Sequence, residues 1–325
     1  AYDALGDQRG AVVAVEPETG RVLAMVSKPD YDPNQIESLW DSFVKDTSGK
    51  GTLVNRATQG QYPPGSTFKI FTLIEYLREN PDADSTYTYT CTGKHTNSNG
   101  DVINCYHGTV HGELDLKSSF THSCNSSFVN IGLSINRTKL VELCRDFGFD
   151  SEFELGIAQK KSTIKLDDKT SDYKLMQTVI GQGDTLVTPL QMALVSAAIA
   201  NNGTLMQPYL VDHVENADGG TIKTYSPDKF KTPLTEKEST LLQSYMEETA
   251  RTGTASALAG SSYTAGGKTG SAEFGTTKGR SHAWFTGYAK KDDKSIAISV
   301  IVEGAGSGAG AAVPVAERVF DTYFK

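Results

Sequence analysis

The sequence has no long apolar run and no run of basic residues among its 325 positions. Because no stretch of 18 apolar residues occurs, we expect no segment of this chain to span a membrane as a helix. A formal net charge of −8 without a basic cluster argues against a nucleic-acid partner, since phosphate binding requires clustered lysine and arginine. The sequence also lacks the pattern of a secretory signal peptide and any internal repeat.

What the chain contains is typical of a globular protein with a substantial core. Hydrophobic residues make up 38% of the sequence and charged residues 22%, which are ordinary values for such proteins. The length could accommodate two average domains, but single mixed domains also reach this size.

Apolar patterning predicts strands at both ends of the chain and helices between them. Residues 11–27 predict two strands joined by a turn at Pro17 to Gly20, and residues 283–289 and 295–304 predict two more. Thr188 is the expected N-cap of a helix whose first residue is Pro189. Helices are predicted over 66–80, within 113–149, and over 188–200, 235–250 and 313–325. We therefore predict an α/β (α+β) fold with a sheet assembled from both termini and a mostly helical second layer or lobe.

Two segments are predicted to be loops. Residues 85–112 are polar and Gly-rich, and the sequence GAGSGAG at 304–310 is a short flexible stretch.

The strongest chemical signal is a serine and a lysine three residues apart at the start of a predicted helix. Pro63, Pro64 and Gly65 precede Ser66, and Lys69 follows on the same helix face. Lys69 can therefore act as a base for the Ser66 hydroxyl, provided that burial or a second nearby cation lowers its pKa. The unpaired N–H groups of the helix start would supply donors for an oxyanion.

An isolated S-x-x-K pattern is weak evidence, because such a lysine is usually a solvated surface residue. Two further patterns follow in the chain: Ser123-Cys124-Asn125, and then Lys268-Thr269-Gly270. The order S-x-x-K, S-x-N, K-T-G is typical, in variant form, of penicillin-binding proteins and serine β-lactamases. Three such elements in this order are a much stronger signal than any one.

The chain resembles the transpeptidase domain of class B penicillin-binding proteins. The resemblance runs almost from end to end: besides the three motifs it includes the opening residues 10–34, IGQGDTLVTPLQMA, RTGTA, and HAWFTGYA. It implies the β-lactamase/transpeptidase-like fold and a single domain over 1–325. It also implies an N-terminal anchor helix and a pedestal module outside this sequence, and a location on the extracytoplasmic face of a bacterial membrane.

The resemblance also implies a role for each motif residue. Ser66 would be the nucleophile that attacks the carbonyl between two D-alanines of a peptidoglycan stem peptide, and Lys69 its base. Ser123 would relay a proton to the leaving amine, and Asn125 would hold Lys69 and the substrate backbone. Lys268 would depress the pKa of Lys69 and attract a carboxylate. The remaining implied roles are substrate binding by Thr269 and Ser271, close approach of substrate at Gly270, and an oxyanion hole from the N–H groups of Ser66 and Ser271.

Each of these residues also has a simpler interpretation. Ser123 could be a helix N-cap and Asn125 a turn residue. GGKTG could belong to a phosphate-binding loop, but that pattern requires glycine where Ser262 stands.

The four cysteines leave three alternatives open. Cys91 and Cys105 flank a polar segment and could form a disulfide if the protein is extracytoplasmic. Alternatively, Cys91, Cys105, His111 and Cys124 could hold a structural zinc ion, in a region that also contains His95, Asp101 and His107. Free thiols are the third alternative, and Cys144 is expected in the core.

The predicted reaction is acyl transfer through a Ser66 acyl-enzyme, with no cofactor needed for the chemistry and with β-lactams as covalent inhibitors. A DD-carboxypeptidase, a β-lactamase and a non-catalytic β-lactam sensor are the alternatives. No glutamate that would activate a deacylating water can be identified, and Asn125 stands where a class D β-lactamase is expected to have valine. A glycosyltransferase within a division or elongation complex is the expected protein partner, through regions outside this sequence.

Overall fold

The computed structural model describes residues 1–46, 49–275 and 280–325. Numbered along these residues, the strands are β1 (Gly10–Val15), β2 (Val22–Lys28), β3 (Thr88–Cys91), β4 (Lys94–Thr96), β5 (Val102–Asn104), β6 (Gly112–Asp115), β7 (Leu205–Met206), β8 (His213–Glu215), β9 (Thr221–Thr224), β10 (Lys229–Lys231), β11 (Thr264–Glu273), β12 (Ser281–Lys291) and β13 (Lys294–Val302). The α-helices are α1 (Tyr2–Leu5), α2 (Ile36–Val44), α3 (Lys69–Glu79), α4 (Ala83–Thr86), α5 (Leu116–Thr121), α6 (Asn125–Ser134), α7 (Arg137–Asp146), α8 (Asp172–Thr178), α9 (Pro189–Ala200), α10 (Glu236–Arg251) and α11 (Val313–Tyr323).

A five-stranded antiparallel sheet joins the two ends of the chain. Its strand order is β11-β12-β13-β1-β2, so the N-terminal β1 lies between β2 and the C-terminal β13. The predicted turn between β1 and β2 is present, and Gly20 adopts the positive φ of 80° that such a turn favours. The predicted fold class and the assembly of the sheet from both termini are confirmed.

The sheet is covered on both faces, which explains why β1 is buried along its whole length. Successive residues of a strand point to opposite faces: Val13 belongs to the core beneath α9, whereas Val12 belongs to the core beneath α11. Every residue of α9 is buried. As predicted, its N-cap is Thr188, whose hydroxyl accepts a hydrogen bond from the N–H of Gln191, and Pro189 is its first residue.

The helical lobe contains α3, α6, α7 and α8, and the turn at Gly65–Phe68 that leads into α3 contacts the edge strand β11. The prediction of a loop over 85–112 was wrong, because this segment forms two short antiparallel ribbons, β3 with β6 and β4 with β5. The polar and Gly-rich composition concealed strands of only three or four residues.

The second half of the predicted loop over 304–310 is helical, whereas 304–307 contain no helix or strand. Gly308–Ala312 forms a π-helical turn that leads directly into α11. A Cβ atom on Gly308 would lie 2.2 Å from the carbonyl oxygen of Trp284 and 2.7 Å from that of Gly270. Glycine is therefore required here for close packing against the sheet, rather than for flexibility.

The predicted helix over 66–80 begins with a tighter turn. Gly65–Phe68 is 3₁₀-helical, and α3 starts at Lys69. Within the described parts of the chain, no helix is both long and apolar enough to cross a membrane.

Candidate active site

Ser66 and Lys69 lie where the 3₁₀ turn passes into α3, beside strand β11. Gly65 starts the turn with a φ of 55°, and its N–H donates to the carbonyl oxygen of Gly181 at 2.8 Å. A Cβ on Gly65 would lie 2.9 Å from the carbonyl oxygen of Ser271. The glycine therefore allows the turn Gly65–Phe68, which carries Ser66, to contact the edge strand that carries the K-T-G motif.

The Lys69 ammonium is buried and is held by the S-x-N turn. Its Nζ donates to the carbonyl oxygen of Ser123 at 2.7 Å, to Oδ1 of Asn125 at 2.7 Å and to Oγ of Ser123 at 3.1 Å. These bonds use the three donors of an ammonium group. Among the described hydrogen bonds, none joins Lys69 to Ser66, which lies partly exposed one helical turn away. Such catalytic contacts often form only when a substrate is bound.

Burial is the main cause of the unusual acidity of Lys69. The side chain has no exposed surface, and desolvation lowers its pKa to about 7. Lys268 is also fully buried, and its pKa lies well below the usual range because of burial and then of repulsion by Lys69. We predicted that Lys268 would depress the pKa of Lys69. In the structure, burial is the main cause of the lowered pKa of Lys69, and the mutual repulsion of the two lysines disfavours a charge on both at once.

The S-x-N turn has a conformation that an N-cap interpretation of Ser123 does not explain. Ser123 has a φ of 57°, and the N-cap of α6 is Cys124, whose sulfur accepts from the N–H of Ser127. The amide Nδ2 of Asn125 donates to the carbonyl oxygen of Asn104 at 3.0 Å, which ties the turn to β5. Both side chains of the motif consequently face Lys69, and the strained backbone at Ser123 is consistent with a functional constraint.

Strand β11 places the K-T-G residues at the edge of the sheet. Lys268 Nζ lies 5.5 Å from the centre of the Phe120 ring, and the Thr269 hydroxyl donates to the Thr254 hydroxyl at 2.6 Å. A Cβ on Gly270 would lie 2.9 Å from the carbonyl oxygen of Pro64. Glycine at position 270 therefore makes room for the backbone at Pro64, which directly precedes the turn that carries Ser66. We had predicted that it makes room for the substrate.

These elements enclose a cavity of about 310 Å³. The predicted residues Ser66, Ser123 and Asn125 line it, together with the three residues Thr269, Gly270 and Ser271. The buried Lys69 reaches it through its bonds to Ser123 and Asn125. Further lining residues that the motifs did not reveal are Tyr106, Thr109, His111, His122, Thr254, Ser307, Gly308 and Ala309. Thr254 could have been inferred from the RTGTA segment, whereas the others are brought here only by the fold.

The four residues of the proposed metal site are brought together beside the S-x-N turn. Their ligand atoms all lie within 4.8 Å of one another, and three of the four residues are buried. The Sγ atom of Cys105 is 3.7 Å from that of Cys91 and 3.8 Å from that of Cys124, and Sγ of Cys91 is 3.3 Å from Nδ1 of His111. The cluster does not include His95, Asp101 or His107.

All four cysteines are free thiols in the structure, so the alternative of a Cys91–Cys105 disulfide is not formed. Hydrogen bonding from the Cys124 thiol lowers the pKa of Cys105, which favours a thiolate in the cluster. Cys144 is fully buried in the core, as predicted.

Comparison with known proteins gives the same assignment over nearly the whole chain. Residues 10–322 match the family described as penicillin binding protein transpeptidase domain. The peptidoglycan D,D-transpeptidase PbpA of Mycolicibacterium smegmatis is 33% identical to this chain, over 97% of the chain and 68% of that protein.

Solved structures agree closely with the fold. The penicillin G acyl-enzyme complex of penicillin-binding protein A from M. tuberculosis superposes with a TM-score of 0.89 at 30% identity, covering 100% of this chain and 78% of that one. A chain from a structure concerned with the coordination of polymerization and crosslinking by a peptidoglycan synthase complex superposes with a TM-score of 0.86 at 28% identity, over 99% of this chain and 59% of that one. Together, the ordered motifs, the site geometry and these matches show that this chain belongs to the penicillin-binding protein transpeptidase domain family.

Proposed function

We propose that this chain is a peptidoglycan D,D-transpeptidase that works through an acyl-enzyme on Ser66. The observation that carries the proposal is the triple hydrogen bond of a buried, low-pKa Lys69 to the Ser123-Asn125 turn, one helical turn from Ser66. The donor substrate is a stem peptide that ends in D-Ala-D-Ala.

In the first half-reaction, Ser66 Oγ attacks the carbonyl carbon of the penultimate D-alanine. Lys69 in its neutral form takes the hydroxyl proton, and the N–H groups of Ser66 and Ser271 stabilise the oxyanion. The Thr269 and Ser271 hydroxyls bind the terminal carboxylate, next to the buried Lys268. The tetrahedral intermediate then collapses: the bond to the terminal D-alanine breaks, and its nitrogen receives the proton that Lys69 holds, through the Ser123 hydroxyl.

In the second half-reaction, an amine of a neighbouring stem peptide attacks the Ser66 ester. Its proton returns to Ser66 Oγ through Ser123 and Lys69, and the ester bond breaks as the new amide bond forms. β-Lactams acylate the same hydroxyl, and the family members solved as acyl-enzymes support this part of the proposal.

Amine exchange on a small donor distinguishes the proposed enzyme from its alternatives. A thioester donor ending in D-alanine should be converted to an amide product when D-alanine or glycine is added as acceptor, and Ser66→Ala should abolish the conversion. Hydrolysis alone would indicate a carboxypeptidase, rapid turnover of a β-lactam would indicate a β-lactamase, and a single acylation without donor turnover would indicate a sensor.

We further propose that Cys91, Cys105, His111 and Cys124 hold a structural zinc ion. Three thiolates and an imidazole are a common structural donor set, and a tetrahedral site with Zn–S bonds of about 2.3 Å separates its sulfur atoms by about 3.8 Å. Two of the three sulfur–sulfur separations, 3.7 and 3.8 Å, match that geometry. The ion would join the ends of β3 and β5 and the start of β6 to the N-cap of α6, and so brace the turn that holds Lys69.

Metal analysis of protein purified without added zinc tests the site. We expect about one zinc per chain, loss of that metal in Cys105→Ser, and retention in Cys144→Ser, which removes a buried thiol outside the cluster. Metal-free protein in which the cluster thiols are oxidised would overturn the proposal in favour of the disulfide.

We propose a location on the extracytoplasmic face of a bacterial membrane, because the peptidoglycan substrate is assembled there. A glycosyltransferase that polymerises the glycan is the expected protein partner, and the similarity to a chain of a peptidoglycan synthase complex supports this. Protease accessibility in intact spheroplasts and co-purification of the full-length protein test the two statements separately.

A further inference from the structure

The carboxylate of Glu303, directly after β13, joins three segments that are distant from it in the sequence. Its Oε1 accepts from Nε of Arg56 at 2.8 Å and from the Tyr62 hydroxyl at 2.7 Å, and its Oε2 pairs with Nε of Arg9 at 2.6 Å. Arg56 and Tyr62 are buried, and the Glu303 side chain is only 15% exposed. None of these four residues, the Glu303 cluster, lines the catalytic cavity, so the acyl-transfer steps do not account for it.

The Glu303 cluster is held together by charge. Burial acts to raise the pKa of the Glu303 carboxyl, but the hydrogen bonds from Tyr62 and Arg56 and the charges of the two arginines outweigh it, so this pKa lies below its ordinary value. Burial, and then the Glu303 charge, raise the pKa of the Tyr62 phenol, which therefore keeps its proton and donates it. A hydrogen bond to a carboxylate is stronger than one between neutral groups, so the Tyr62 ring is firmly fixed at its hydroxyl end.

The Tyr62 ring passes this constraint to Trp284 on β12. The two rings meet edge to face, with their centres 6.0 Å apart and their planes at 81°. Trp284 is fully buried, and its Nε1 donates to the carbonyl oxygen of Pro63 at 3.0 Å. Tyr62 therefore limits where the indole donor can lie, and the indole fixes a carbonyl group three residues before Ser66.

The segment 62–66 is short and stiff, so a constraint at its start reaches the nucleophile. Pro63 and Pro64 follow Tyr62 directly, and their rings fix the φ angles of two of the three residues that precede Ser66. Among the hydrogen bonds of the described residues, none involves the Ser66 hydroxyl. The position of that hydroxyl consequently depends on the backbone of its turn.

We propose that Glu303 is a positioning residue for the acylation of Ser66, and that it acts through Tyr62 and Trp284. This inference rests on the proposed function, because it concerns the rate at which Ser66 is acylated. A displacement of about 1 Å at a reacting atom can lower a rate by about a hundredfold. No member of the Glu303 cluster lies on β11. Loosening the cluster should therefore slow the attack by Ser66 without weakening the binding of its substrate.

Removal of one hydroxyl group tests the proposal. Tyr62→Phe deletes the group that donates to Glu303 and keeps the aromatic ring. Stopped-flow acylation at several concentrations of a chromogenic cephalosporin separates the acylation rate constant from the dissociation constant of the first complex. We expect the rate constant to fall about tenfold and the dissociation constant to stay within about twofold. The rise of the rate near pH 7 should be unchanged, because Lys69 is not altered.

Tyr263→Phe is the matched control. It also removes a phenol hydroxyl that donates to a carboxylate, that of Asp321 at 2.9 Å, and neither partner lines the catalytic cavity. Both variants should lose a similar amount of thermal stability, and only Tyr62→Phe should lose acylation rate. A rate constant that is unchanged in Tyr62→Phe, or that falls equally in Tyr263→Phe, would overturn the positioning role.

A double variant tests whether Glu303 acts through Tyr62. Glu303→Gln replaces the charged acceptor with a neutral one, so this variant should also be acylated more slowly. If the two residues act through their shared contact, adding Tyr62→Phe to Glu303→Gln should slow acylation little further. A double variant whose loss equals the product of the two single losses would show that they act independently, and would overturn the proposed route.

The failures of the two proposals are distinguishable. If the cephalosporin acylates Ser66 in the parent protein and Tyr62→Phe keeps the parent rate constant, the role of Glu303 is overturned while the proposed function stands. If the parent protein is not acylated at Ser66, the proposed function is overturned and the role of Glu303 with it.

Discussion

The rate at which Ser66 is acylated should depend on pH through the protonation of Lys69. Only the neutral amine can accept the Ser66 proton, so the rate follows the fraction of neutral Lys69, which rises with pH. Burial lowers the pKa of this lysine to about 7. The neutral fraction is then about one tenth at pH 6 and about nine tenths at pH 8, and the acylation rate constant should rise about tenfold over this interval and level off above it.

If Lys69 had the pKa of a lysine in water, the acylation rate would depend on pH in a clearly different way. A lysine in water has a pKa of about 10.4, and its neutral fraction would rise about a hundredfold between pH 6 and pH 8 without levelling off. The difference between the two pKa values corresponds to about 5 kcal/mol of selective destabilisation of the charged amine, which complete removal from water can supply.

Stopped-flow acylation with a chromogenic cephalosporin between pH 5.5 and 9.5 measures this profile. His122→Gln is the matched control, because His122 also lines the cavity and is a second candidate for the base. The acylation rate constant of this variant should still rise with pH around pH 7. Three results would refute the assignment of Lys69 as the base. They are an acylation rate that no longer rises with pH in His122→Gln, a rate that does not depend on pH in the parent protein, and a midpoint of the rise above pH 9.

Three substitutions test other parts of the site. Ser123→Ala removes the hydroxyl that relays the proton, so acylation should slow by about a hundredfold or more with little change in melting temperature; an unchanged acylation rate would contradict the relay. Gly308→Ala forces a methyl group against the Trp284 carbonyl, 2.2 Å away, so calorimetry should show a melting temperature several degrees lower, and an unchanged value would contradict the packing. Thr254→Val removes the hydrogen bond that orients the Thr269 hydroxyl. Titration should then show that the apparent dissociation constant for a β-lactam rises by about three- to tenfold. An unchanged dissociation constant would contradict this role of Thr254.

The sequence was most informative where local chemistry determines structure. The β1–β2 turn, the Thr188 cap and the strands at both termini follow from short patterns, and each is present. The motif residues were found for the same reason: each motif is short, and each sits on its own element. Their assembly around one cavity could not be read from spacing, because it depends on how α3, the α6 turn and β11 pack.

Composition was least informative in the segments that build the walls of the site. Strands of three or four residues between polar turns carry too little periodicity to be recognised, so the ribbons within 85–112 were missed. In 304–310, abundant glycine suggested flexibility, but Gly308 instead permits backbone contact with Gly270. The pKa values of the site residues depend on burial, which the spacing of residues in the sequence does not reveal. The lowered pKa of Lys69 was expected, with burial or a second cation as its cause, and burial is the main cause in the structure.

Intact-mass analysis after incubation with benzylpenicillin, followed by peptide mapping, tests the central claim most directly. We expect one covalent equivalent on the parent protein, located on the peptide that contains Ser66, and none on Ser66→Ala. An adduct on another residue, or an adduct that persists in Ser66→Ala, would contradict the assignment of Ser66 as the acylated nucleophile.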